Sequence, residues 1–308
     1  LREPAPLPPG ARVALVSPSG PLNGPHELAR AVSTVESFGW VPAPGAHALA
    51  RSGYFAGDDD ARASDLIRAL EDDDVHGIWC LRGGYGAARL LPVLEDVVRH
   101  ASPDVPPKPL IGFSDITILL LYFHVRYGWI TFHGPTVAQE IYKGMPPTTE
   151  IALQEAITKR TRLGDLYGRD LDVIREGEAV GPVVGGNLAR MLRTLGTTFE
   201  IETKDRILFI EEVDEGHIQI DGDLNHLRLA GKLEGVRGVV FSEMTGCLKG
   251  DKRAMKRYLR RYFRDAPYPV LFGYPSGHGV ENITLPIGAR ARISSSPPRL
   301  VIEEGAVR

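Results

Sequence analysis

A serine stands two residues past a glycine at the end of a short apolar run, Pro109-Leu110-Ile111-Gly112-Phe113-Ser114-Asp115-Ile116. A helical spacing of apolar residues (Ile116, Leu119, Leu120, Phe123) begins at once. Strand, abrupt turn, helix is the geometry that lifts a hydroxyl above a sheet and sets backbone N–H groups beside it. Far downstream, the run Ile207-Leu208-Phe209-Ile210 ends on two acids, Glu211 and Glu212, and His278 lies between glycines in Tyr274-Pro275-Ser276-Gly277-His278-Gly279. An acid closing a buried strand needs a partner, and a glycine-flanked loop is suited to presenting an imidazole. A hydroxyl, an imidazole and a carboxylate together suggest serine-hydrolase chemistry. Singly they carry little. The hydrolase turn pattern wants glycine two residues after the serine, where this chain has Ile116, and most loop histidines are inert.

Other patterns point elsewhere or nowhere. Arg82-Gly83-Gly84-Tyr85-Gly86 follows an apolar run and opens a helix, as an anion-binding loop would. A dinucleotide fingerprint would need glycine at position 89, where the chain has Arg89, and no Walker lysine follows. Three glycines in four residues fit an N–H cradle for an oxyanion, or a plain tight turn. Asp221-x-Asp223-x-Asn225 imitates a calcium loop, but His226 and Lys232 occupy the positions that need Gly and Glu. His217 and His226 lack zinc spacing. His133, before Gly134-Pro135, reads as a structural histidine. No metal and no cofactor is expected.

The elements that must position these groups read as repeated strand–helix units. Apolar runs at 12–16, 41–43, 77–81, 109–112 and 129–132 alternate with helical patterns that open at Pro25, Asp58, Gly86 and Ser114. Short loops between such units indicate a doubly wound, mostly parallel sheet. Ligands in such sheets bind beyond the carboxyl ends of the strands, which places Ser17-Pro18-Ser19-Gly20, the 82–86 loop and the Ser114 turn along one edge. Residues 144–178 are polar and weakly periodic, with a helix at 148–158, and read as a linker. The expected organisation is an α/β chain with an N-terminal unit, 1–143, carrying the serine. A smaller mixed α+β or barrel-like unit, 179–308, carries the glutamate and the histidine.

Composition excludes several classes. With 43% hydrophobic and 24% charged residues over 308 positions, the chain is an ordinary globular protein. A net charge of −3 without a basic stripe argues against nucleic acid; the basic helix near 252–264 reads as a solvated face. No apolar stretch approaches the ~20 residues that span a bilayer. Cys80 and Cys247 are far apart, which suits a reducing compartment. The opening Leu-Arg-Glu-Pro-Ala-Pro-Leu-Pro-Pro reads as a lead-in and not a signal peptide, and the cytoplasm is the expected location.

Taken together, Ile111-Gly112-Phe113-Ser114-Asp115, Arg82-Gly83-Gly84-Tyr85-Gly86, Thr131-Phe132-His133-Gly134-Pro135, Gly185-Gly186-Asn187-Leu188, Leu208-Phe209-Ile210-Glu211 and Gly277-His278 with Asn282-Ile283-Thr284-Leu285-Pro286 resemble the LD-carboxypeptidase family of serine peptidases. That family holds murein tetrapeptide carboxypeptidases and microcin-C self-immunity peptidases. The resemblance covers nearly the whole chain in motif order. It implies a triad of Ser114 (nucleophile), His278 (general base) and Glu211 (orienting acid), assembled across a two-domain cleft, usually in a homodimer. Spacing alone leaves Glu211 and Glu212 open; the family's single acid after the apolar run favours Glu211. The backbone N–H groups of Gly84 and Asp115 are assigned to the oxyanion. Arg82, Ser17, Ser19 and Asn187 are candidates, by loop position, to receive the terminal carboxylate of a small peptide substrate. The implied activity is release of the terminal D-alanine from murein tetrapeptide. The alternatives are a microcin-immunity-type peptidase acting on peptidyl or aminoacyl nucleotide analogues and, in another class, a non-catalytic ligand-binding module.

Overall fold

The computed structural model describes residues 1–100, 105–138 and 144–308; the expected boundary at residue 143 lies outside them. The first sheet uses β1 (Arg12–Val16), β2 (Val41–Pro44), β3 (Gly77–Cys80), β4 (Leu110–Gly112) and β5 (Thr131–His133) in the order 2-1-3-4-5. All of these pair in parallel. β3 and β4, and β1 after Arg12, are continuously apolar and buried because helices cover both faces. Those helices are α1 (Pro25–Ser37), α2 (Asp59–Glu71), α3 (Ala87–His100) and α4 (Thr117–Tyr127). Asp58 caps α2 by accepting the Ala61 N–H at 2.8 Å, and Asp59 and Asp60 fill its first turn, where the helix dipole favours acids. The order reverses between β1 and β3, so their carboxyl-end loops face a shared crevice.

After α5 (Pro147–Thr158), β6 (Asp172–Arg175) pairs with a strand of the second sheet, so the connecting stretch supplies an edge strand. The second sheet is curled into a half-barrel and runs β13-β12-β7-β8-β9-β10-β6. Its strands are β7 (Glu178–Asn187), β8 (Ile207–Glu211), β9 (Gly238–Ser242), β10 (Val270–Tyr274), β12 (Arg290–Ser295) and β13 (Pro298–Ile302), with β6 at one edge. The central four are parallel, with α6 (Leu188–Leu192), α7 (His217–Leu229) and α8 (Lys252–Tyr262) as connections. The mixed α/β fold therefore matches the sequence expectation. One strand departs from chain order. β11 (Leu285–Ile287) leaves the second half and adds antiparallel to β5 in the first sheet, with Leu285 opposite His133.

Two features fix the halves against each other. α4 starts immediately behind Ser114 and is buried on every side from Thr117 to His124. A helix apolar all round needs cover all round. Leu119, Leu120, Tyr122 and Phe123 pack with the first sheet's core, whereas Leu121 packs with Val184, Leu188 and Ile210 of the second. The second feature is the 275–284 segment, which runs from β10 in one sheet to β11 in the other and carries His278.

Candidate active site

Ser114 has φ +62, a left-handed conformation in a non-glycine residue. A Cβ in that region costs about 1–2 kcal/mol, so the surroundings must hold it there. They do so from three sides. Asp115, fully buried, accepts the Ser19 hydroxyl at 2.7 Å and the Ala87 N–H at 2.9 Å. The Thr117 hydroxyl accepts the Asn187 N–H at 3.1 Å from the second half. Gly112 takes the Gly134 N–H at 3.1 Å through its carbonyl. The turn is thus tied to the first strand's loop, to α3 and to β7 before α4 begins.

Beside it lies the glycine loop. A Cβ on Gly83 would sit 3.0 Å from Ser114 Cβ and 3.2 Å from its Oγ, so this backbone touches the serine side chain. The Gly83 carbonyl accepts the Gly20 N–H at 3.0 Å. In a planar trans peptide the Gly84 N–H points the opposite way, away from Gly20. Arg62, 1% exposed, donates to the carbonyls of Pro18 at 2.5 Å and Gly86 at 3.0 Å, which clamps the 17–20 and 82–86 loops together. The backbone that carries the N–H groups of Gly84 and Asp115 is therefore tied to neighbouring loops on several sides.

In the second half, β8 is buried throughout and ends on Glu211. Glu211 Oε1 lies 2.5 Å from His278 Nδ1 and Oε2 accepts the Asn187 side-chain amide at 2.9 Å. The same amide donates to Glu212 Oε1 at 3.0 Å, and Glu212 also accepts the backbone N–H groups of Ala189 and Val213 at 2.9 and 3.0 Å. Burial pulls both carboxyls upward. In Glu211 the charge and hydrogen bond of His278 prevail and hold the group below the ordinary glutamate range. In Glu212 burial wins, aided by the neighbouring Glu211, and the group is raised. Only Glu211 has the imidazole. Gly277 makes room for this pair: its φ is +122 and a Cβ there would fall 2.3 Å from Glu211 Cγ.

The two halves meet at an aromatic edge. The half-buried His278 ring stands against the ring of Phe113, centroids 4.8 Å apart at 63°, and Phe113 directly precedes Ser114. The imidazole–carboxylate pair of the second sheet is thereby delivered to the strained turn of the first.

The family's N-terminal domain profile, described as LD-carboxypeptidase N-terminal domain, matches residues 13–134, and its C-terminal domain profile matches residues 180–293. The chain belongs to the LD-carboxypeptidase family. It is 34% identical over 304 residues to a probable murein peptide carboxypeptidase of Bacillus subtilis, covering 96% of this chain and 92% of that protein. It is 31% identical over 290 residues to the murein tetrapeptide carboxypeptidase of Pseudomonas aeruginosa, covering 91% and 92%. Among solved structures, the microcin C7 self-immunity protein MccF in an inactive-mutant apo state superposes with a TM-score of 0.89 over all of both chains at 23% identity, a likeness of fold.

The remaining candidates each hold a hydrogen bond within the chain. Ser17 donates its hydroxyl to the Ala48 carbonyl at 3.2 Å; Ser19 and Asn187 are buried on Asp115 and on the glutamate pair. Arg82 is half-buried and donates through Nη1 to the Pro21 carbonyl at 3.0 Å. Arg62 and Arg190, like Thr117, help build the site without belonging to any motif in the sequence. Arg190, on α6, donates to the Gly84 carbonyl at 3.2 Å and lies 3.4 Å from Asp115 Oδ1. Its place three residues after Asn187, on the same helical turn, was the available signal. Among the described residues no group of three or more His, Cys, Asp or Glu side chains is arranged to hold a metal ion.

Proposed function

We propose that the protein is a serine LD-carboxypeptidase that releases the C-terminal D-alanine of murein tetrapeptide. The observation that carries this reading is the 2.5 Å bond between His278 Nδ1 and Glu211 Oε1, on an imidazole seated against the residue before Ser114. In the reading, His278 Nε2 removes the Ser114 hydroxyl proton as Oγ attacks the scissile carbonyl, and Glu211 fixes the tautomer and stabilises the imidazolium. The carbonyl oxygen becomes an oxyanion between the N–H groups of Gly84 and Asp115, each worth roughly 3 kcal/mol. The imidazolium returns its proton to the departing nitrogen, D-alanine leaves with its amine, and the acyl group stays on Oγ. Water, deprotonated by His278, then releases the tripeptide as a carboxylic acid. Arg82 supplies the cation for the substrate's terminal carboxylate; Ser17, Ser19 and Asn187 hold the walls around it. The curated names of the Bacillus and Pseudomonas relatives support this substrate class.

Incubation with L-Ala-D-Glu-meso-diaminopimelate-D-Ala, with free D-alanine assayed, tests the reading. Release by wild type and a loss of about a thousandfold or more in Ser114→Ala are expected. No release by wild type would count against it. The MccF-like fold favours a second reading, cleavage of an aminoacyl nucleotide analogue. Residues 144–178 offer one aromatic ring, Tyr167, to stack a base, so this reading ranks second; efficient turnover of an aminoacyl sulfamoyl adenylate would reverse the order. The same proposal includes a cytoplasmic homodimer, and a monomer mass in analytical ultracentrifugation at working concentration would remove the dimer from it.

A further inference from the structure

One buried histidine that this chemistry leaves unused is His133. It is the last residue of β5, fully buried, and sits opposite Leu285 in the pairing that brings β11 into the first sheet. Its Nδ1 lies 3.1 Å from Ser276 Oγ, two residues before His278. The Ser276 hydroxyl is 3.5 Å from Asn282 Oδ1, which also accepts the Gly277 N–H at 2.9 Å. Asn282 in turn donates its own N–H to Thr149 Oγ1 at 2.9 Å. The 276–282 segment is thus closed around Asn282 and tied to β5 through the His133 side chain.

That side chain has an unusual composition for its place. Its ring packs edge-on against Phe113 (6.2 Å between centroids) and Phe209 (5.3 Å), a role a phenyl ring would fill. Its Nε2 is buried with no hydrogen-bond partner among the described residues, which costs about 1–3 kcal/mol relative to a satisfied group. The β5–β11 ladder already joins the halves without it. What an imidazole adds and a phenyl ring cannot is the bond to Ser276. Burial, opposed by Glu211 and reinforced by His278, depresses the His133 pKa to about 4. The ring therefore stays neutral near pH 7 and sets no second cation beside a protonated His278.

We propose that His133 is a positioning residue for His278: anchored on the serine's sheet, it fixes Ser276 and with it the loop that aims the catalytic imidazole at Ser114. The proposal rests on the reading of His278 as the general base. Misplacement of a reacting group by about 1 Å costs up to a hundredfold in rate, so the effect belongs in kcat and not in substrate affinity.

Four variants and two readouts test this. Asn places an amide near the Nδ1 position of histidine, Gln places one near Nε2, and Phe keeps only the ring. His133→Phe and Ser276→Ala are expected to lower kcat by about tenfold to a hundredfold with KM changed less than about threefold. His133→Asn should recover most of the loss and His133→Gln little of it. The double variant His133→Phe/Ser276→Ala should be no slower than the slower single one, since both remove one interaction. The second readout needs no substrate: the low-field proton resonance of the His278–Glu211 hydrogen bond should shift or broaden in His133→Phe and Ser276→Ala and return in His133→Asn. If wild type releases no D-alanine, that resonance still reports on the loop, which separates failure of this proposal from failure of the peptidase reading. Unchanged kcat and resonance in Ser276→Ala overturn the proposal even if His133→Phe fails to fold. Equal losses in the Asn and Gln variants that merely follow Tm overturn it as well.

Discussion

Glu211 closes β8 and Glu212 follows it at once, and the protein drives their protonation apart. Glu211, paired with His278, is held below the usual range, so it stays a carboxylate into mildly acidic solution. Glu212 answers to backbone N–H groups and is raised. Glu211→Gln should therefore cut kcat by about three to four orders of magnitude, since the amide misorients the imidazole and no longer stabilises its protonated form. Glu212→Gln should cost less than about tenfold, because it leaves the bond to His278 in place. Steady-state kinetics on the tetrapeptide compares them; equal losses would show that the carboxylates share the task. The sequence presented both acids at the end of one apolar run, and spacing could not choose between them. The choice lies with a partner 67 positions downstream, reached only after the chain has folded.

At the scale of loops and turns, the tightest elements are those where backbone approaches the His278–Glu211 pair. Gly277 is one, with φ +122 and Glu211 Cγ where a methyl would go. Gly277→Ala is expected to lower kcat about a hundredfold by displacing Glu211 or His278. A crystal structure of the variant, or loss of the low-field His278 proton, checks it, and wild-type kinetics would show that the loop yields without cost. The serine turn and the glycine loop were legible because glycine, serine and apolar runs mark strand–turn–helix transitions directly. Arg62 and Arg190 were not. Both act on main-chain carbonyls, of Pro18, Gly86 and Gly84, and a carbonyl leaves no trace in residue type. β11 was read as strand-like, but its transfer to the other sheet depends on which edge is open, a property of the assembled sheets.

At the scale of the whole molecule, two of the described histidines, His124 and His133, are buried between the halves. His133 is depressed to about 4 and His124, bonded to the Trp129 carbonyl, is lowered by burial. A histidine whose folded pKa lies below its unfolded value gives full stability above the unfolded pKa and loses it as pH falls toward the folded one. Stability should therefore start to decline below about pH 6.5, and His133 alone should remove about 2 kcal/mol between pH 7 and pH 5. Urea midpoints across that range would read it, and a flat profile would mean that one or both rings accept a proton in the folded state. α4 ties this to function. It begins at the serine turn and is buried by both sheets, so loosening the junction at acid pH should lower activity before the sheets themselves unfold.

In the proposed mechanism His278, on the segment between β10 and β11, and Glu211 of β8 activate a hydroxyl held by the first sheet. Stoichiometric labelling by a fluorophosphonate, followed by peptide mass mapping, measures that activation at the atom concerned. The expected result is a single adduct on Ser114, absent in Ser114→Ala and formed about a thousandfold more slowly in His278→Ala, which keeps the serine but lacks its base. An adduct at Ser114 that forms as fast in His278→Ala as in wild type, or one on another residue altogether, would contradict the claim.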